Sequence, residues 1–380
     1  MKFFVTIDAY LPGFRFGGPV RSLANLVDWV GERYEIYIFT KDRDLGDEEG
    51  YKNIPLNQWV PHGKAQIFYA SPDQHKPSRA LAEMKRIQPE VVYLNGLWER
   101  MTRGLLKARL PEARYVIAPR GALGAGALEI KPWKKKLGLC LMRRSLRRLV
   151  WHATAEEEAS EVRKVMGAQV SVCVASNLLE RRVVNAPNNL VRVRVPGPCQ
   201  LVAFSRLSRK KNFDFLLSCL GSVRGAFNLD IIGPEEDPVY ASELKKLAKE
   251  LRPNQSVHFL GGKSPAELTA LLPKYDFFVL PTQHENFGHV FIEAWAAGLP
   301  VITSDQTPWR DLLAKGIGWD LSLSKREPWI ALLESIIQIH PDKLLKLKMQ
   351  SARFVANLAQ QQPLDAYKRL FEGCSENPSI

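Results

Sequence analysis

Short apolar runs alternate with stretches of helical periodicity along the whole chain. Phe3–Ile7, Tyr34–Thr40, Ala65–Ala70, Val91–Asn95 and Tyr115–Ala118 are runs of strand length. After the first of them, Gly17-Gly18 leads into a segment whose apolar residues fall at 20, 23, 26, 27 and 30, the spacing of one helix face. Arg79–Ile87 and Met101–Leu110 predict two more helices between strands. Strands and helices in alternation predict a parallel sheet with helices on its faces, an α/β fold.

The second half repeats this architecture. Residues 196–200, Pro-Gly-Pro-Cys-Gln, break the pattern and predict an interdomain linker. Strands are then expected at Leu201–Ser205, Leu229–Gly233, Val257–Leu260, Phe277–Leu280 and Val301–Thr303. Helices are expected from Phe213 to near Leu220, over Tyr240–Leu251 and over Pro265–Leu272. The division is therefore 1–195 for a first Rossmann-like domain, 196–362 for a second, and 363–380 for a C-terminal helix and tail. Two such halves imply a ligand cleft.

The stretch Pro281–Pro300 is the most informative. A buried strand closes at Pro281, a polar loop runs through Gly288, and Val290-Phe-Ile-Glu-Ala-Trp-Ala-Ala reads as a helix stopped by Gly298 and Pro300. Strand, loop, helix and strand in that order place a ligand loop at the carboxyl ends of a parallel sheet. Glu285 lies in the loop and Glu293, eight residues later, in the helix. Backbone N–H groups at a helix start favour an anion, and carboxylates accept hydrogen bonds from sugar hydroxyls. Two glutamates at this spacing also arise by chance, and a glycosidase acid and nucleophile is a competing reading of the pair.

Arg206 and Lys211 follow a strand at the same end of the sheet. Cations there suit a diphosphate leaving group, which neutral-glycan hydrolases do not need. The bland alternative is a solvated basic loop, which is how Arg209 and Lys210 are read. Gly17 and Gly18 leave room for a phosphate or form a simple tight turn. Neither they nor Gly121-Ala-Leu-Gly-Ala-Gly126 has the dinucleotide-binding spacing.

Charge alters the picture in one region. The net charge is +13, and residues 114–148 hold ten Lys/Arg against Glu129 alone. Lys131–Arg148 interleaves those cations with Trp133, Leu137, Leu139, Leu141, Met142, Leu146 and Leu149. This predicts either an ordinary helix with a solvated basic face or a helix lying on an anionic membrane surface. No nucleic-acid recognition motif accompanies the charge, so nucleic acid is not an expected partner. No apolar run reaches the ~18 residues of a membrane span. Met1–Asp8 reads as a first strand and not as a signal peptide. Five cysteines without paired spacing argue against disulfides and a zinc site, as in a reducing cytosol.

Taken together, Glu285-Asn-Phe-Gly, Glu293, Ala296-Ala-Gly-x-Pro-Val-Ile and Thr307-Pro-Trp-Arg resemble the donor-site signature of GT-B glycosyltransferases of family four. Asn95-Gly-Leu-Trp-Glu99, Pro119–Leu128, Lys131–Lys136 and His152–Glu158 are similar to a branch acting in bacterial polysaccharide and lipopolysaccharide biosynthesis. The resemblance implies two Rossmann-like domains facing a cleft, with the last helix crossing back to the first domain. It implies a retaining, metal-independent hexosyltransferase without cofactor, taking a nucleotide-sugar donor and a glycan or lipid-linked acceptor. The protein would be cytoplasmic, free or peripheral on the inner face of the membrane.

On the same resemblance, Arg206 and Lys211 would clamp the diphosphate, and Glu285 would hold sugar hydroxyls with Asn286, Phe287 and Gly288 around the hexose. Glu293 would bind the ribose, Gly17 and Gly18 would lie against the donor phosphates, and base contacts would come from near Gly233 and Val257–Leu260. Arg120 stands where many members carry a histidine near the reacting carbon, and a guanidinium cannot serve as a base at neutral pH. A nucleotide-sugar epimerase on the same fold and a non-catalytic membrane-surface binding protein are the alternative functions.

Overall fold

The computed structural model describes residues 1–124, 127–128, 132–181 and 196–373. The chain divides into two compact α/β units, Met1–Glu180 with Gln362–Ile380, and Arg181–Gln361. Residues 182–195, where the first domain was expected to end, lie outside the described residues.

The first unit contains β1 (Lys2–Thr6), β2 (Glu35–Lys41), β3 (Trp59–His62), β4 (Ala65–Ala70), β5 (Val91–Asn95), β6 (Arg114–Ala118), β7 (Val150–Ala153) and β8 (Ser171–Val174). Their order across the sheet is β3-β4-β2-β1-β5-β6-β7-β8, parallel except for β3 against β4. β1 is central because Phe3, Phe4 and Val5 are apolar on both faces, and each face has its own core. The strand order reverses direction between β1 and β5, so the loops leaving those two strands diverge and open a crevice.

The last helix, Leu364–Glu372, belongs to this first unit. Its buried residues Ala366, Tyr367, Leu370 and Phe371 form one stripe. Phe371 packs edge-on against Phe3 and Tyr93, at centroid distances of 4.7 and 5.5 Å. Burial of each such side chain contributes about 1.5–3 kcal/mol. The Tyr34 hydroxyl and the Arg33 guanidinium both bond Glu372, at 2.6 and 2.8 Å, and Arg114 Nε donates to the Leu370 carbonyl at 3.1 Å.

The second unit contains β9 (Cys199–Phe204), β10 (Phe227–Ile232), β11 (Gln255–Phe259), β12 (Phe277–Leu280), β13 (Val301–Ser304) and β14 (Gly318–Leu321). They are arranged β11-β10-β9-β12-β13-β14, all parallel. β9 starts at Cys199, inside the stretch expected to be a linker, because Cys199 and Gln200 pair with Phe227 and Asn228. Here the order reverses between β9 and β12. The two sheets thus share one topological device, with crevices at β1/β5 and β9/β12.

Candidate active site

At the β9/β12 crevice, the loop leaving β9 makes a short 3-10 turn, Arg209–Lys211. Asn212, in the left-handed region at φ 62°, ends the turn and begins the helix Phe213–Ser222. Asn is among the few residues that accept this conformation readily. The reversal directs Lys211 toward the loop leaving β12, where its ammonium bonds Glu285 Oε1. Both side chains are nearly buried, 11% and 15% exposed. An ammonium has three donors, so one bond to Glu285 leaves donor capacity for an anion.

The loops around this pair are tied together. Gln283 N donates to the Lys210 carbonyl at 2.9 Å, and Glu285 N to the Gln306 carbonyl at 3.1 Å. Thr303 Oγ1 bonds the Leu280 carbonyl at 2.9 Å, and Ser304 Oγ bonds that of Thr282. Three strand exits therefore share one hydrogen-bonded platform. A rigid support of this kind holds a charged group at a fixed position without ligand.

Asn286, Phe287 and Gly288 continue from Glu285 to the helix His289–Ala296. Gly288 sits at φ 77° as the residue preceding that helix, and an added Cβ would stand 2.4 Å from the Phe291 ring. The Phe287 carbonyl accepts from Trp309 Nε1, and the Phe287 ring stacks edge-on against Trp309 at 5.6 Å. Thr307-Pro-Trp-Arg thus supports the loop from behind. Glu293 lies half-buried on the helix.

Arg206 does not join the Lys211–Glu285 pair; it bonds Glu236 at 2.7 Å, with both groups more than a third exposed. Arg209 is not merely solvated, since it pairs with Glu243 at 3.0 Å and lies over the Tyr240 ring. Gly233 has a packing reason of its own. At φ 157°, a Cβ there would stand 1.8 Å from the Ser205 carbonyl oxygen, so the exits of β9 and β10 touch backbone to backbone.

The remaining sequence candidates belong to the first unit. Gly17, at φ 77°, precedes the helix Gly18–Val30, whose first turn carries no acidic residue. Arg120, in the left-handed region at φ 54°, follows β6. Its guanidinium bonds Asn177 Oδ1 (2.9 Å), the Tyr93 hydroxyl (3.0 Å) and Asn95 Oδ1 (3.1 Å). Tyr93 in turn bonds His152 Nδ1 at 2.7 Å, while His152 Nε2 lies 2.8 Å from the Ala175 carbonyl. A carbonyl only accepts, so Nε2 carries the proton and Nδ1 accepts from Tyr93. Burial, reinforced by the Arg120 charge, lowers the His152 pKa to about 3. Arg120 is the head of a buried relay that it positions and that positions it.

Sequence reasoning assigned no site role to Asp8, Lys41, His75 or Glu99. Asp8 follows β1, Lys41 ends β2, and the two bond at 2.6 Å. Glu99 follows β5, and burial, then the nearby Asp8 charge, raises its pKa to about 7. The signal available was positional, since Asp8 and Glu99 come just after strands 1 and 5, the pair flanking the crevice.

Residues 194–354 match the family model for glycosyl transferases group 1. The matched span covers less than half of the chain. It contains Arg206, Lys211, Gly233, Glu285–Gly288 and Glu293. The chain is 30% identical over 119 residues to a GDP-mannose:cellobiosyl-diphosphopolyprenol alpha-mannosyltransferase of Komagataeibacter xylinus, a match spanning 30% of each protein. It is 24% identical over 171 residues to the lipopolysaccharide core biosynthesis glycosyltransferase LpsE of Rhizobium meliloti, 45% of this chain and 48% of that one. The matches thus span less than half the length of either relative. In structure, Anabaena HepE, solved with UDP and glucose, aligns with a TM-score of 0.67 over 99% of both chains at 14% identity. The chain has the GT-B fold.

Proposed function

We propose that the protein transfers a hexose from a nucleotide-diphosphate sugar to a glycan or glycolipid acceptor of a cell-surface polysaccharide, with retention of configuration. The observation that carries this reading is the Lys211–Glu285 pair at the β9/β12 crevice, beside the start of the helix His289–Ala296. Lys211, Arg206 and the helix N–H groups would receive the diphosphate, in the role a metal ion takes elsewhere. Glu285 would accept from sugar hydroxyls and Glu293 from the ribose. As the sugar C1–O bond to phosphate breaks and the acceptor oxygen bonds C1 on the same face, the departing phosphate oxygen takes the acceptor's proton. That scheme asks no carboxylate of the enzyme to be a nucleophile.

The substrates of relatives support the donor class, since one takes GDP-mannose and HepE binds UDP and glucose. Lipid-linked and lipopolysaccharide acceptors are likewise named among them. We place the reaction at the cytoplasmic membrane surface. The helix Pro132–Leu146 exposes Trp133 (66%), Leu137 (54%) and Leu141 (76%), four residues apart on one face. Lys134, Lys136, Arg143, Arg144, Arg147 and Arg148 are exposed around them, a composition that suits anionic lipid. No described helix is long and apolar enough to cross a membrane.

The test is a panel of UDP-, GDP- and ADP-sugars incubated with wild type and with Glu285→Ala. Slow release of free nucleotide diphosphate from one donor by wild type, lost in the variant, is the expected result. Conversion of a donor to an isomer with the diphosphate intact would make the protein an epimerase and overturn the reading.

A further inference from the structure

Tyr93 and His152 are buried, titratable and unused by the donor chemistry, and both lie behind Arg120. Arg120 itself is held twice over. Its backbone is in the left-handed region at φ 54°, which an arginine rarely adopts. The next N–H in the chain, that of Gly121, donates to Glu158 Oε1 at 2.7 Å. Glu158 is buried and also accepts from the backbone N–H and the hydroxyl of Thr154, at 2.8 Å each, so this turn is pinned to the exit of β7. The guanidinium is fixed separately, by Tyr93 and Asn95 of β5 and by Asn177 beyond β8. A strained backbone that its surroundings over-determine is a feature of functional sites.

The charge of Arg120 is left for something else. Its three acceptors are neutral, and among the described residues no carboxylate pairs with it. Of the five N–H donors of a guanidinium two remain, and the one on Nε is buried without a partner.

The hydrogen bonds behind Arg120 run one way. Arg120 donates to the Tyr93 hydroxyl, which gives its only proton to His152 Nδ1, and His152 Nε2 donates to the Ala175 carbonyl. A guanidinium cannot accept, so the Tyr93 lone pairs must face Arg120 and its proton must face away. His152 enforces that direction by offering an acceptor. The last helix covers both rings, with Tyr367 edge-on to His152 at 5.4 Å and Phe371 edge-on to Tyr93 at 5.5 Å. Packing of this kind locks the rotamers on which a site depends.

We propose that Arg120 is a catalytic cation of the transfer reaction, and that Tyr93 and His152 are its positioning residues, His152 acting by fixing the direction of the Tyr93 proton. The inference rests on the glycosyl-transfer reading and adds a charge outside the Lys211–Glu285 pair. A cation that keeps its proton stabilises negative charge without doing acid–base work.

The test measures kcat and KM for release of nucleotide diphosphate, with circular dichroism on every variant. Arg120→Met, Tyr93→Phe and His152→Leu should each lower kcat about tenfold or more while KM moves less than about threefold. His152→Gln, which restores an acceptor, should recover part of the loss. In the Arg120→Met background, Tyr93→Phe and His152→Leu should lower kcat no further, because both act through the missing guanidinium. Purely structural roles would lower it again. In ¹⁵N NMR of wild type, His152 Nδ1 should resonate as an unprotonated, hydrogen-bonded nitrogen, and Arg120→Met should shift that signal without touching the ring. Unchanged kcat in Arg120→Met, additive losses in the double variants, or an Nδ1 signal indifferent to Arg120 would each overturn the proposal while wild type remains an active transferase. A wild type without turnover on any donor would instead overturn the transfer reading, and the proposal with it.

Discussion

Lys211 and Glu285, 74 residues apart in sequence, meet as a nearly buried ion pair where the loops leaving β9 and β12 converge. The pair sits at the reversal of strand order, the place where an open parallel sheet has a crevice. Removing one partner strands the other charge with little water, at a cost of about 3–5 kcal/mol. Lys211→Met and Glu285→Ala should therefore each lower Tm by several degrees, whereas the double variant Lys211→Met/Glu285→Gln should recover part of the stability. Donor turnover should stay absent in all three. Thermal melts with nucleotide-release assays on the same preparations check both halves.

Gly233 answers to backbone packing. A methyl group there would overlap the Ser205 carbonyl, so the exits of β9 and β10 must separate. Gly233→Ala should destabilise the second unit by at least ~2 kcal/mol. Urea unfolding followed by tryptophan fluorescence measures this, and a change near zero would refute the packing account.

The first unit should respond to pH through two groups with opposite signs. His152 has a folded pKa of about 3 against 6.5 unfolded, so below pH 6.5 the unfolded chain binds the proton first. Its stabilisation is complete above pH 6.5 and is lost as pH falls toward 3, at up to about 1.4 kcal/mol per unit. Glu99, raised from 4.5 to about 7, works the other way; its contribution is complete below pH 4.5 and is lost as pH rises through 7. Glu99→Gln should thus gain stability relative to wild type at pH 8, by about 1–3 kcal/mol, and His152→Gln should flatten the acid limb. Denaturation midpoints between pH 4 and 8 read both effects.

The helix Pro132–Leu146 should bind anionic vesicles through Trp133, Leu137 and Leu141 together with its cations. Flotation with phosphatidylglycerol vesicles should recover wild type at low salt and less of it at high salt. Trp133→Ala/Leu137→Ala/Leu141→Ala should bind at least tenfold more weakly. Equal recovery of wild type with neutral phosphatidylcholine vesicles would argue against a role for charge.

How much of this was written in the sequence depends on the range of each interaction. Local periodicity determined the alternation of strands and helices, and the strands Ala65–Ala70, Val91–Asn95 and Phe277–Leu280 have the boundaries their apolar runs predict. Three of the four strands at the sheet margins were not legible, the exception being β11, which overlaps the expected Val257–Leu260. Trp59-Val-Pro-His is partly exposed and contains a proline, which only an edge strand tolerates, and Gly318–Leu321 is likewise a half-buried edge. The motif from Pro281 to Pro300 could be read because its loop and helix are contiguous. Partnerships could not be read, because they are made across the sheet. Only the order of strands decided that Lys211 reaches Glu285 while Arg206 turns to Glu236, and that Arg120 faces Tyr93, Asn95 and Asn177. The same order brought Asp8 to Lys41 across the neighbouring strands β1 and β2. Sequence records which residues follow a strand, and topology decides which strands are neighbours.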